Sequence, residues 1–204
     1  LTDSSAASDV YKRQIPDSGI LFDNMFFESG DEIPTERFIQ TRIEAEIAFC
    51  MRGPLAGEVT REEVLQATDY VFPSLEILDT RIFRKDENTG KMRTVFDTIS
   101  DNAANAGVIS GVQKNDPQKF DLRRVGSIVM RNNEVEETGL GAGVLNDPIT
   151  GIIWLVKRLS EYNQKISPGE IILSGSFIRP IEARKGDEFY ADFGDFGFVE
   201  CKFN

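Results

Sequence analysis

The stretch Arg-Ile-Glu-Ala-Glu-Ile-Ala-Phe-Cys-Met at residues 42–51 decides how the chain is read. Ile43, Ala45, Ile47 and Phe49 alternate with Glu44, Glu46 and Ala48, and a period of two is that of a β-strand. Glu44 and Glu46, two residues apart, therefore share one face. Two neighbouring carboxylates repel one another, and each is costly to bury without a partner. Two readings stand. Either the pair lies on the solvated face of a half-buried strand, or it holds a divalent cation that removes the repulsion. A third carboxylate, Glu76, sits among apolar residues in Ser-Leu-Glu-Ile-Leu-Asp at residues 74–79 and has the same need. Three carboxylates with neither imidazole nor thiolate select a hard ion, Mg2+ or Mn2+.

Outward from this strand, Thr60-Arg-Glu-Glu63 is a capping box that opens a short helix over 61–68. Residues 70–78 are apolar and rich in strand formers, a second strand despite Pro73, and 85–91 (KDENTGK) form a charged surface loop. Residues 97–107 are expected to be helical, with Asp101 and Asn102 either capping that helix or facing the site. Strands over 125–131 and 134–138, joined by Asn132-Asn133, make a hairpin with a favoured turn dipeptide. The strongest helix is 148–162, with Pro148 at its first position and Ile152, Leu155, Val156 and Leu159 on its apolar face. Trp154 on that helix is expected in the core. Strands follow at 171–173 and 189–193, the latter turning through 194–197 into a last strand at 198–203. Many short strands with few helices define an α+β, β-dominant fold. Residues 15–204 read as one domain. Residues 1–14 are polar, lack an apolar period and begin with Leu, and they read as a non-native leader with no part in the fold.

Composition removes whole classes of function. The 204 residues carry a net charge of −11 without a basic cluster, so a nucleic acid would be repelled. No apolar run reaches the roughly 18 residues of a membrane-spanning helix. Cys50 and Cys201 lie in strand patterns and fit core packing in a reducing cytoplasm. The chain has no His, which excludes Ser-His-Asp and Cys-His catalysis and any His-ligated metal within it. Gly139-Leu-Gly-Ala-Gly143 follows a hairpin and lacks the spacing of a dinucleotide loop. Ser174-Gly175-Ser176 follows a strand and is either a tight turn or a set of donors for an anion.

Taken together, residues 42–49, 73–79, 97–107, 142–146, 171–177 and 193–197 resemble the fumarylacetoacetate hydrolase superfamily, in its hydratase/decarboxylase branch. The resemblance covers about residues 15 to 204. It implies a mixed β-sheet roll of the superfamily's C-terminal-domain type, with Mg2+ (or Mn2+) on Glu44, Glu46 and Glu76. Asp17, in the Pro-Asp-Ser-Gly turn, matches an acidic active-site residue and is the candidate for proton handling. Ser176, with Ser174 beside it, belongs to a strand-end motif that faces a bound 2-oxo acid. Arg179 or Arg81 is the candidate to hold a second substrate carboxylate.

The activity implied is metal-dependent addition of water to a 2-oxo-alkenoate, a dioate, in meta-cleavage breakdown of aromatic compounds. Hydration of 2-oxopent-4-enoate and decarboxylation of 4-oxalocrotonate are the near alternatives. An acylpyruvate hydrolase would need a base-activated water, for which no His is present. A reading of another class is a non-catalytic metal-binding subunit. A homo-oligomer, and association with a decarboxylase, are expected; nucleic acid and membrane are not. The family carries a Gly-x-Lys segment upstream of the Pro-Asp turn. That segment lies outside the sequence as given, so the activity is expected of the intact protein.

Overall fold

The computed structural model describes residues 16–83 and 85–204, so the leader expected at residues 1–14 lies outside the described residues. In chain order the strands are β1 (Phe26–Glu28), β2 (Glu32–Ile33), β3 (Thr41–Met51), β4 (Thr68–Asp79), β5 (Asn105–Ser110) and β6 (Gly126–Arg131). They continue as β7 (Glu134–Leu140), β8 (Ile171–Leu173), β9 (Ile181–Glu182), β10 (Glu188–Asp192) and β11 (Phe198–Phe203). The helices are α1 (Arg61–Ala67), α2 (Val95–Ser100) and α3 (Pro148–Ser160). One sheet runs β1-β5-β4-β3-β8, with β9 also pairing β3; the other runs β2-β11-β10-β6-β7. Each sheet has one parallel pair, β1 with β5 and β2 with β11, so both are mixed. The fold is α+β and β-dominant, as the sequence implies.

One apolar core joins the sheets. Ile47, Phe49, Leu75 and Ile109 of the first meet Val129, Phe189, Val199 and Phe203 of the second. Phe189 and Phe203 pack edge to face with ring centroids 5.9 Å apart. Helix α3 closes one flank with Ile149, Ile152 and Val156, all fully buried. Its start is set by Asp147, whose Oδ1 accepts from the Ile149 N–H at 3.0 Å, with Pro148 following. The capping box of α1 forms as expected, Thr60 and Glu63 bonding each other's backbone N–H. Asn132 and Asn133 both adopt left-handed φ (54° and 67°), the backbone that a two-residue hairpin turn needs.

Two expectations are corrected. The helix expected at 97–107 is shorter and displaced, covering Val95–Ser100, and the chain then enters β5. Local propensity favours a helix in this small-residue run, but residues from Asn105 onward are buried between β1 and β4. Gly107 suits that slot, because a Cβ there would lie 3.1 Å from Ile77 Cδ1 and 3.2 Å from Met25 O. Trp154 is half-buried and stands outside the core. The last strand, Phe198–Phe203, follows a short 3-10 turn at Gly194–Phe196, as expected.

Replacing a side chain at the meeting of the two sheets should cost far more than replacing an exposed one. Phe189→Ala should lower the free energy of unfolding by about 3–5 kcal/mol. Phe198→Ala, at a residue 41% exposed and stacked on Tyr190, should cost about 1 kcal/mol. Urea denaturation of both variants checks the ranking.

Candidate metal centre

Strand register builds the site. β3 and β4 are antiparallel, and Glu44 stands directly opposite Glu76 while Glu46 stands opposite Ser74. Residues opposite one another share a face, so Glu76 joins the pair already formed by the i, i+2 spacing. Carboxylate oxygens of Glu44, Glu46 and Glu76 all lie within 4.8 Å of one another. Small Ser74 leaves room for Glu46, and its hydroxyl donates to the Glu46 carbonyl at 3.1 Å.

The solvated-face reading of Glu44 and Glu46 fails here. β3 is an interior strand covered on both faces, and Glu46 is 2% exposed. Burial pushes the Glu46 carboxyl well above the ordinary range, and the neighbouring charges of Glu76 and Glu44 push it further. Glu44 is likewise held well up, first by burial and then by Glu76 and Asp17, with Arg42 opposing. Glu76 is raised by burial, against hydrogen bonds from Glu46 and Asn105 that favour its charged form. Three carboxylates this close cannot all ionise without a cation. The donor set is all oxygen, buried and convergent, which fits a hard divalent ion and no softer one.

Two groups orient the carboxylates. The backbone N–H of Gly175 donates to Glu46 Oε2 at 2.7 Å. Gly175 has φ +106°, a conformation for which glycine is suited. Asn105 Nδ2 donates to Glu76 Oε1 at 2.7 Å. Neither contact is visible in the sequence.

The other expected site residues divide. Asp17 faces the cluster closely enough that its charge raises both Glu44 and Glu76, while desolvation raises its own carboxyl. Its turn is pinned by Asn102, whose Oδ1 accepts from Ile20 N at 2.7 Å and whose Nδ2 donates to Ile20 O at 3.0 Å. Gly19 allows this approach, since a Cβ there would stand 2.5 Å from Asn102 O. Asn102 thus holds the Asp17 turn, and Asp101 turns to Arg81.

Arg81 is engaged in the fold. Its Nε donates to Asp101 Oδ1 at 2.8 Å, and its terminal nitrogens donate to Asp79 O at 3.0 Å and Asn105 O at 2.8 Å. Arg179 is exposed and paired with Glu137 of β7, Nε to Oε1 at 2.8 Å. The Ser176 hydroxyl donates to Ile178 O at 3.0 Å, and the Ser174 hydroxyl is buried with a long 3.4 Å contact to Gly175 O. At this turn it is the Gly175 backbone N–H that reaches the cluster. A separate open groove of about 860 Å³ is lined by Ile128, Leu140, Phe177 and Phe193, and none of the three glutamates lines it.

No family model matches the chain. Individual proteins do. A 2-oxo-hept-4-ene-1,7-dioate hydratase of Escherichia coli is 51% identical over 189 residues, 92% of this chain and 71% of the relative. A 2-keto-4-pentenoate hydratase of Paraburkholderia xenovorans is 36% identical over 92% of this chain and 68% of its own length. Among solved structures, a 4-oxalocrotonate decarboxylase of Pseudomonas putida G7, complexed with magnesium and adipate, superposes with a TM-score of 0.87. That chain is 29% identical, with 98% of this chain and 74% of the other covered. Mixed sheets carrying a three-carboxylate centre, with these likenesses, describe an enzyme, a hydro-lyase. The chain belongs to the fumarylacetoacetate hydrolase superfamily, in its hydratase/decarboxylase branch.

The raised carboxyls have a consequence for stability. Groups whose folded pKa exceeds the unfolded value stabilise at low pH, and that contribution is lost as pH rises through the raised value. Without divalent ion, the melting midpoint of wild type relative to Glu46→Gln should fall as pH climbs above 4.5, the ordinary glutamate value. Added Mn2+ should reverse the trend, because deprotonated ligands bind it better. Calorimetry across pH, with and without Mn2+, reads both slopes.

Proposed function

We propose that this site is a Mg2+-dependent hydratase centre for a seven-carbon 2-oxo-alkenedioate, converting 2-oxohept-3-ene-1,7-dioate to 4-hydroxy-2-oxoheptanedioate. The observation that carries the reading is the convergence of Glu44, Glu46 and Glu76 within 4.8 Å in a buried, all-oxygen donor set. The 51% identity to the Escherichia coli dioate hydratase supports the substrate class, and the magnesium of the decarboxylase structure supports the ion.

When bound, Mg2+ would supply a Lewis acid that favours loss of a proton from C3 of a 2-oxo acid. Glu44, Glu46 and Glu76 would hold the ion. Gly175 N–H and Asn105 Nδ2 keep two of those carboxylates oriented. Asp17 is the proton carrier of this reading, because it faces the cluster and desolvation raises its carboxyl. Returning the proton at C5 of a 4-ene substrate brings the double bond into conjugation with the carbonyl. Water then adds at C4 and a proton is restored at C3, giving the 4-hydroxy-2-oxo acid. Ser174 and Ser176 shape the turn that faces the 2-oxo acid. Arg81 is engaged by three oxygen acceptors and Arg179 by Glu137; of the two, Arg179, whose ion pair lies at the surface, is the candidate of this reading to hold the second substrate carboxylate.

The same reading places the reaction in meta-cleavage breakdown of aromatic compounds, 4-hydroxyphenylacetate among them, in the cytoplasm. Assembly with further copies is supported by exposed Ile128, Leu140 and Phe198. Association with a decarboxylase draws on the decarboxylases among the relatives, one of them, from Pseudomonas sp. (strain CF600), 31% identical.

Ultraviolet assay of dioate hydration by the intact protein tests the reading. Activity should vanish in EDTA and return with Mg2+. Glu44→Gln should lower kcat/KM by about 10²-fold or more, the scale of one well-placed electrostatic group. Arg179→Ala should lower kcat/KM for the dioate and leave that for 2-oxopent-4-enoate near its starting value. Turnover indifferent to chelator would overturn the metal reading. Carbon dioxide release from 4-oxalocrotonate would favour a decarboxylase, and metal binding without turnover of any 2-oxo acid a non-catalytic subunit.

A further inference from the structure

Asn105 is 3% exposed, yet it carries two polar atoms into the interior. Nδ2 donates to Glu76 Oε1 at 2.7 Å. Oδ1 is buried and has no hydrogen-bond partner among the described residues. A buried acceptor left unpaired is costly, and apolar side chains of the same shape would avoid the cost. The backbone goes to some length to put Asn105 there. Glu76 pairs with Val108 and Ile77 with Gly107, so regular pairing would set Leu78 opposite Ala106. Instead the register shifts between Ile77 and Leu78, and Leu78 pairs with Asn105. That bulge turns Asn105 to the carboxylate face, where regular pairing would have placed it on the other.

The chain reaches Asn105 through three consecutive non-glycine residues at positive φ, Asn102 (54°), Ala103 (55°) and Ala104 (60°). Such conformations persist where surrounding contacts over-determine them. Here Arg81, anchored on Asp101, donates to the Asn105 carbonyl at 2.8 Å and fixes its backbone.

We propose that Asn105 is a positioning residue of the metal centre, its Nδ2 holding the Glu76 carboxylate in the orientation that binds the ion and its Oδ1 serving as acceptor for an O–H donor of the loaded site. The inference rests on the metal reading of Glu44, Glu46 and Glu76. It adds a residue that does not ligate the ion and acts chiefly by holding Glu76.

The test uses EDTA-stripped protein titrated with Mn2+ alone, followed by calorimetry and by the electron paramagnetic resonance of free Mn2+. Asn105→Leu keeps the shape and removes both polar atoms. It should weaken Mn2+ binding about 10–100-fold, the usual effect of losing a group that orients a ligand. Its melting midpoint in EDTA should hold or rise, because the orphaned acceptor is gone. The loss of affinity should disappear when Asn105→Leu is combined with Glu76→Gln and persist when it is combined with Glu44→Gln. Should the leucine variant fail to fold, Asn105→Ser is read in the same way.

Unchanged Mn2+ affinity in a folded variant would overturn the proposal. So would a midpoint in EDTA that falls in step with affinity, which is what a purely structural role gives. Wild-type protein that binds no Mn2+ would overturn the metal reading itself, and this inference with it, and is told apart from the other failures by that first titration.

Discussion

The antiparallel register of β3 and β4 is the constraint on which the rest of the molecule depends. With Glu44 opposite Glu76, and Glu46 two residues along, three carboxylates converge on one buried face. A slip of one residue would send β4's side chains to the opposite face and scatter the cluster. Held together, the three are mutually repulsive and desolvated, and all three carboxyls are pushed up. The electrostatic problem is local, but its solution draws on distant parts of the chain. Gly175 brings an N–H from beyond α3, Asn105 brings an amide from β5, and Asp17 is carried in by the N-terminal turn.

Those supports are linked to one another. The short run Asp101–Asn105 reaches three ways at once. Asp101 anchors Arg81, Asn102 clasps the backbone of Ile20 beside the Asp17 turn, and Asn105 meets Glu76. The left-handed backbone of Asn102, Ala103 and Ala104 costs roughly 1–3 kcal/mol per residue, and the surrounding hydrogen bonds offset it. Strain is therefore concentrated next to the carboxylates, while the second sheet carries the large aromatic side chains that make the fold stable. Stability and chemistry occupy different faces of the first sheet, with Ile43, Ile47 and Phe49 toward the core and Glu44 and Glu46 away from it.

This division goes with the way Arg81 and the Ser176 hydroxyl are taken up by the protein's own oxygen acceptors. Within a crowded loop, a guanidinium that can meet three oxygen acceptors becomes a brace. A serine hydroxyl beside a tight turn bonds the turn's own carbonyls, as Ser176 does with Ile178, and the glycine between the serines provides the donor that reaches Glu46.

Local pattern in the sequence determined the strand bearing Glu44 and Glu46, the capped starts of two helices, the Asn132-Asn133 turn and the oxygen-only character of the donor set. Each rests on interactions between residues a few positions apart, or on counts such as the absence of His. Proximity across long stretches of chain was decided by tertiary structure. The first residues of β5, Asn105 to Gly107, read as helix by composition because their strand form depends on being buried between β1 and β4. Asn105 is aimed by a bulge that exists only in pairing with β4, and Glu46 becomes buried because β3 is covered on both sides. A sequence specifies which groups are available, whereas register and burial decide which of them meet and how far water is kept from their charges.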